Sequence, residues 1–152
     1  PPAARAMVER YRKVWRELHG TGGEEPKMGV VRFVLVAETD AKAMAIARRA
    51  YLRWRSSFTH LFQKFGTQPD SPLRVNAFDD LIKQGQGIAG SPETVKTFLG
   101  KQVADSGQNY VVGQFCFGDL TLDEMLRSVE LFADQVMPAL RAVKSPTRAM
   151  VS

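Results

Sequence analysis

Two segments, Gly29–Ala37 (GVVRFVLVA) and Tyr110–Phe117 (YVVGQFCF), are nearly continuously apolar and rich in β-branched and aromatic residues. A strand with one wet face alternates polar and apolar residues. A strand with no polar side has to be covered on both faces, as in parallel sheets flanked by helices. These two segments therefore point to a parallel α/β architecture, and the flanking stretches agree with it.

Pro1 and Pro2 suit the first turn of a helix, and Ala4, Met7, Val8, Tyr11, Val14, Trp15 and Leu18 then recur every three or four residues until Gly20. After the first strand, Thr39 or Asp40 can cap a second helix. Its stripe runs through Ala43, Met44, Ala47, Ala50, Tyr51 and Trp54 and continues through Phe58, Leu61, Phe62 and Phe65 to Gly66. Thr67 to Gly87 has little periodicity, and it reads as a long excursion holding one short helix near Phe78–Ile82. Ser91 is a helix N-cap with Pro92 at the first helical position, and this helix runs to Ser106-Gly107. Thr121 and Glu124 form a capping box that opens the last helix, with Leu122, Met125, Leu126, Val129, Leu131, Phe132 and Val136 along one side. Pro138 ends or kinks it, and 144–152 reads as a loose tail.

The cadence of helix, strand, helix, excursion, helix, strand, helix is that of β/α units. A (β/α)8 (TIM) barrel needs eight strands and roughly 250 residues, so 152 residues with two strands supply about a quarter of one. Such a piece leaves strand edges unpaired, so a homo-oligomer or completion by a missing N-terminal part is expected.

Composition narrows the function. Net charge is +5, but residues 1–66 carry +7 and residues 67–152 carry −2. The basic residues alternate with apolar ones, as in Arg48-Arg49-Ala50-Tyr51-Leu52-Arg53-Trp54-Arg55, which describes a solvated helix face with snorkelling stems rather than a nucleic-acid surface. No apolar run is long enough to span a bilayer, and Pro1-Pro2-Ala3-Ala4-Arg5 is no secretory signal, so a cytoplasmic protein without membrane partners is expected. The absence of an initiator Met suggests a processed, cloned or cleaved piece. Cys116 is the single cysteine, which excludes an intrachain disulfide, and it reads as a small buried hydrophobe. His19 and His60 lack a second ligand at metal spacing, so no metal site is expected.

Three stretches in order resemble the luciferase-like, flavin-dependent monooxygenase family. Val31–Ala43 (VRFVLVAETDAKA) looks like its seventh strand and the following helix, and Ile88–Val95 (IAGSPETV) is similar to its Gly-Ser/Thr-Pro-Glu element. Phe117–Thr121 (FGDLT), with Arg127–Ala133 and Val136–Leu140, looks like the eighth strand and last helix. The resemblance implies that 1–143 is the C-terminal part of a luciferase-like (β/α)8 domain, with 57–87 as its lid or insertion. It further implies that the parent protein binds reduced FMN, reacts it with O2 and oxygenates a small organic substrate, served in some members by a flavin reductase. A parent using the deazaflavin F420 for hydride transfer, or a non-catalytic flavin-binding or interaction fragment, is the alternative. The catalytic residues would lie in the absent N-terminal part, leaving this fragment inactive alone.

Barrel active sites gather at the C-terminal ends of strands. That singles out Glu38 and Thr39 after the first strand, and Gln114, Phe115 and Phe117 after the second, as walls of a flavin pocket; simple core packing fits them equally. Alternation along a strand would send Gln114 and Cys116 one way and Phe115 and Phe117 the other. Gly90-Ser91-Pro92 could cradle a phosphate at a helix N-terminus, but the ordinary cap is favoured because no glycine cluster surrounds it.

Overall fold

The computed structural model describes residues 2–20, 24–67 and 75–142. The chain runs α1 (Pro2–His19), β1 (Gly29–Val36), α2 (Asp40–Lys64), α3 (Phe78–Lys83), β2 (Gly87–Gly90), α4 (Pro92–Ser106), β3 (Tyr110–Gln114) and α5 (Leu122–Leu131). A π-helical turn (Phe132–Val136) and α6 (Met137–Ala142) follow. No helix among the described residues is long and apolar enough to cross a membrane.

The sheet is parallel and has three strands in the order β2-β1-β3. The expected count of two strands is corrected by β2, which lies where the long excursion was expected to end. Its sequence, Gly87-Ile88-Ala89-Gly90, carries one β-branched residue and no alternation. It is a strand because β1 makes it one: the Phe33 N–H donates to the Gln86 carbonyl (3.2 Å) and the Ala37 N–H to the Gly90 carbonyl (3.1 Å). Since β2 lies between them in the chain, β1 and β3 are not consecutive strands as the seventh and eighth would be. They do pair directly and in parallel, from Gly29 opposite Tyr110 to Phe33 opposite Gln114. In a closed ring each strand neighbours the next in chain order; here β1 sits between the two later strands.

Both faces of β1 are covered from Phe33 to Val36, but Val31 is exposed. The edge strand β3 leaves Tyr110 and Val112 exposed, which corrects the expectation that both segments are covered on both faces throughout. Phe33, Leu35 and Ala37 face α2 and α3, packing on Ala43, Ala47, Ala50, Tyr51, Phe78 and Leu81. Val34 and Val36 point the other way, onto Val95 and Leu99 of α4 and Leu131 and Val136 beyond. Small residues on α2 let the helix lie close to the sheet, and Tyr51, though fully buried, donates its hydroxyl to the Val75 carbonyl (3.0 Å).

Other expectations meet the structure unevenly. All three side-chain caps form: Thr39 accepts from the Lys42 N–H, Ser91 from the Thr94 N–H, and Thr121 with Glu124 completes the reciprocal box. The last helix does not stop at Pro138. A π-turn widens the backbone just before it and accommodates the missing N–H, and α6 continues. The apolar side assigned to that helix is corrected in part, since Leu122, Leu126 and Val129 are exposed while Ser128 is fully buried. Of the expected lid, residues 57–64 continue α2 and 78–83 form α3, while 68–74 lie outside the described residues, as does the tail 144–152.

Candidate functional site

Parallel strands deliver their C-terminal ends to one end of the sheet, where the β1–α2, β2–α4 and β3–α5 connections meet. Glu38 and Thr39 leave β1 there. The Glu38 carboxylate accepts from Lys42 Nζ and from Arg127 Nε, each at 2.9 Å, which ties the start of α2 to α5. These two hydrogen bonds, Lys42 first, lower its pKa to about 2. The Thr39 hydroxyl accepts the Lys42 N–H (3.2 Å) as the N-cap of α2.

Asp40 does the work that the phosphate-cradle reading assigned to an outside anion. Its carboxylate accepts the Ser91 backbone N–H (2.7 Å) and the Thr94 hydroxyl (3.1 Å), filling the seat at the N-terminus of α4. Those bonds, the Ser91 backbone donor foremost, hold its carboxyl below the usual aspartate range. Gly90 permits the approach, because a Cβ there would stand 2.9 Å from Asp40 Oδ1 and 2.8 Å from Thr94 Cγ2. Arg49 of α2 reaches across to the third connection, donating to Asp119 (3.1 Å) and to both oxygens of Glu124 (3.1 and 2.7 Å).

Beyond β3 the expected alternation fails. The strand ends at Gln114, so Phe115, Cys116 and Phe117 do not follow a period of two. Phe117 is buried on the α2 side, edge-on to Phe33 (5.2 Å between centroids). Phe115 packs edge-on to Phe132 (5.0 Å) beside the opposite core. The two phenylalanines therefore do not share a side. Cys116 is exposed, which corrects its reading as a buried hydrophobe. The chain then turns through Gly118, whose φ is +63° and where a Cβ would sit 1.8 Å from the Ala50 carbonyl oxygen.

The structure thus brings Glu38, Thr39 and the end of β3 to one end of the molecule, but engages most of them with other residues of this chain. Glu38 and Thr39 are held in an ion-pair set and a cap, and Phe117 belongs to the core; Gln114 and Phe115 are half-buried. Sequence reasoning missed Asp40, Arg49 and Arg127. Arg127 lies 89 residues from Glu38 and Arg49 lies 75 from Glu124, and no local pattern signals such pairs. Asp40 stands out in the sequence only as an alternative cap.

A shallow groove of about 370 Å³ lies elsewhere. It is lined by Gln108, Tyr110 and Val111 at the start of β3, by Phe132, and by Leu140 and Arg141 near the end of α6. It lies at the N-terminal end of the strand, away from Glu38 and Thr39, although its Phe132 also packs against Phe115.

No family model matches the sequence. The chain is 29% identical over 138 residues to y4wF, an uncharacterized protein of Sinorhizobium fredii (strain NBRC 101917 / NGR234), and the match takes in 87% of this chain and 40% of that protein. Its fold is similar to that of monooxygenase RslO1 from Streptomyces bottropensis, with a TM-score of 0.65 at 18% identity, over 88% of this chain and 38% of that one. The chain therefore spans about two fifths of the length of each of these two proteins. The likeness to RslO1 is one of fold.

Proposed function

We propose that this chain is the C-terminal part of a luciferase-like, flavin-dependent monooxygenase. One observation carries the reading: a fold shared with a monooxygenase over 88% of this chain, at a level of identity where fold outlasts sequence. The three ordered motifs supply the flavin-dependent, luciferase-like part of it. In a closed (β/α)8 ring with strands in chain order β3 would pair with β2 rather than β1, so the proposal concerns the shared fold and not a ring segment made of these three strands.

The described residues fit FMN only in part. The anion seat at α4 is filled by Asp40, and Arg49, Arg127 and Lys42 are engaged by carboxylates. Among the described residues these strand ends therefore leave no open seat for a flavin phosphate, which would be held elsewhere. Gln114 and Phe115 are the residues left to line a flavin ring, with Gln114 offering an amide that donates and accepts and Phe115 an apolar wall. Bound reduced FMN would supply the reaction with O2; this chain would orient the ring and exclude water.

Anaerobic titration of FMN, riboflavin and F420 with the chain, followed by flavin fluorescence, tests the proposal. The expected outcome is weak saturable quenching, equal for FMN and riboflavin, and weakened by Gln114→Ala and by Phe115→Ala at unchanged circular dichroism. Absence of saturable quenching would remove the flavin assignment. Binding of F420 alone would move the chemistry to hydride transfer.

A further inference from the structure

We propose that α1 is a self-association helix, which pairs antiparallel with α1 of a second copy of this chain. Ala4, Met7, Tyr11, Val14 and Leu18 recur at spacings of three, four, three and four, the narrow seam of a two-helix coiled coil. Met7 is 73% exposed and Leu18 74%, with Tyr11 and Val14 near half. By contrast α2, which covers the sheet, buries Ala43, Ala47, Ala50, Tyr51 and Thr59. The body of the molecule holds α1 by a different side, where Val8 is buried and Arg12 donates to the Gly107 carbonyl (2.8 Å) and pairs with Glu25. Ala4 is half-buried and Tyr11 stacks on Trp15, but nothing among the described residues buries Met7, Tyr11, Val14 or Leu18.

Charge selects the occupant and its direction. Arg10 and Glu17 flank the seam on the side away from Val8, and both are exposed. An antiparallel pair that layers Met7 on the second copy's Leu18, and Tyr11 on its Val14, sets Arg10 opposite its Glu17 and repeats the contact by symmetry. A parallel pair sets Arg10 against Trp15 and forms neither contact. Antiparallel packing also opposes the two helix dipoles. Glu17 has one competitor on its own helix, Lys13 at 4.0 Å, a weak exposed pair. Additional polypeptide of the kind the longer matched proteins carry could cover the stripe, but nothing in the seam would require this reciprocal charge pattern of it.

Sedimentation velocity under reducing conditions, which keep Cys116 from cross-linking, reads the outcome. The wild-type chain is expected to form a dimer as concentration rises, and Leu18→Glu to remain a monomer with unchanged circular dichroism. Arg10→Glu should weaken the dimer by about fivefold, and Arg10→Glu with Glu17→Arg should restore it. A wild-type monomer at every concentration would overturn the proposal and leave the stripe to other polypeptide. A dimer indifferent to Leu18→Glu would overturn the assignment to α1.

Discussion

The strand-end region and the α1 region differ in whether the chain itself engages their side chains, polar ones at the strand ends and apolar ones on α1. At the strand ends Glu38, Thr39, Asp40, Arg49 and Glu124 each find a partner within the chain, and the connections are stitched to one another. On α1, Met7, Tyr11, Val14 and Leu18 form a stripe as regular as any in the sequence, yet all are exposed. Regular apolar spacing thus says that a surface is to be covered, but not by what. The closed region tells where the chain has satisfied itself, and the open one where it has not.

Three substitutions sharpen this contrast. Gly118→Ala is expected to be the most damaging. It places a methyl against the Ala50 carbonyl at a backbone angle that L-residues avoid, so the β3–α5 connection has to lift off α2. The strained angle and the overpacking together should cost about 3 kcal/mol, read from the midpoint of urea unfolding. At concentrations where the chain is monomeric, a change on the open side, at exposed Leu18, should move that midpoint within error. Equal effects at the two positions would break the distinction.

Ser128→Ala comes next. β3 ends beside Phe33, so the edge of β1 beyond it has no strand to pair with. Ser128 of α5 substitutes, accepting the buried Val36 N–H at 2.8 Å. Removing the hydroxyl leaves that N–H unpaired in the core, at a cost of about 2 kcal/mol. Amide hydrogen exchange at Val36 should accelerate more than at Leu35, whose surroundings are untouched.

Ser128 also marks where the sequence stops being legible. The β1 strand, the coverage of its second half on both faces, and the caps at Thr39, Ser91 and Thr121 are all readable, because each is written in consecutive residues whose own chemistry enforces it. Ser128 looks like a polar interruption of an apolar helix face, because its reason lies 92 residues away in an unfilled strand edge. β2 is hidden for the same cause: Gly-Ile-Ala-Gly has little strand character, and the neighbouring β1 imposes it. Phe115 and Phe117 fall on one side only under a period of two, which holds only while a strand lasts. Of the candidate site, the location at the strand ends is legible, but the consumption of Glu38 by Arg127 and of the α4 anion seat by Asp40 is not, since both pairings are made by the fold.

The smallest effect tests whether the stitched strand ends contribute stability or only order. Glu38 titrates near 2 in the folded chain, against 4.5 ordinarily, because Lys42 and Arg127 donate to its charged form. A carboxyl depressed by folding binds fewer protons folded than unfolded. Its contribution is therefore complete above about pH 4.5 and disappears as pH falls through about 2. Asp40 and Glu124 are also lowered, by Ser91 and by Arg49, so acid weakens the whole region and the wild-type curve alone does not single out Glu38. The difference between wild type and Glu38→Gln does. It should be small, constant above pH 4.5, shrinking below it and absent near pH 2, and it should diminish with added salt because the pair is exposed. A pH-independent difference would mean that Glu38 acts through its shape, and that the charges at this end order the connections without stabilising them.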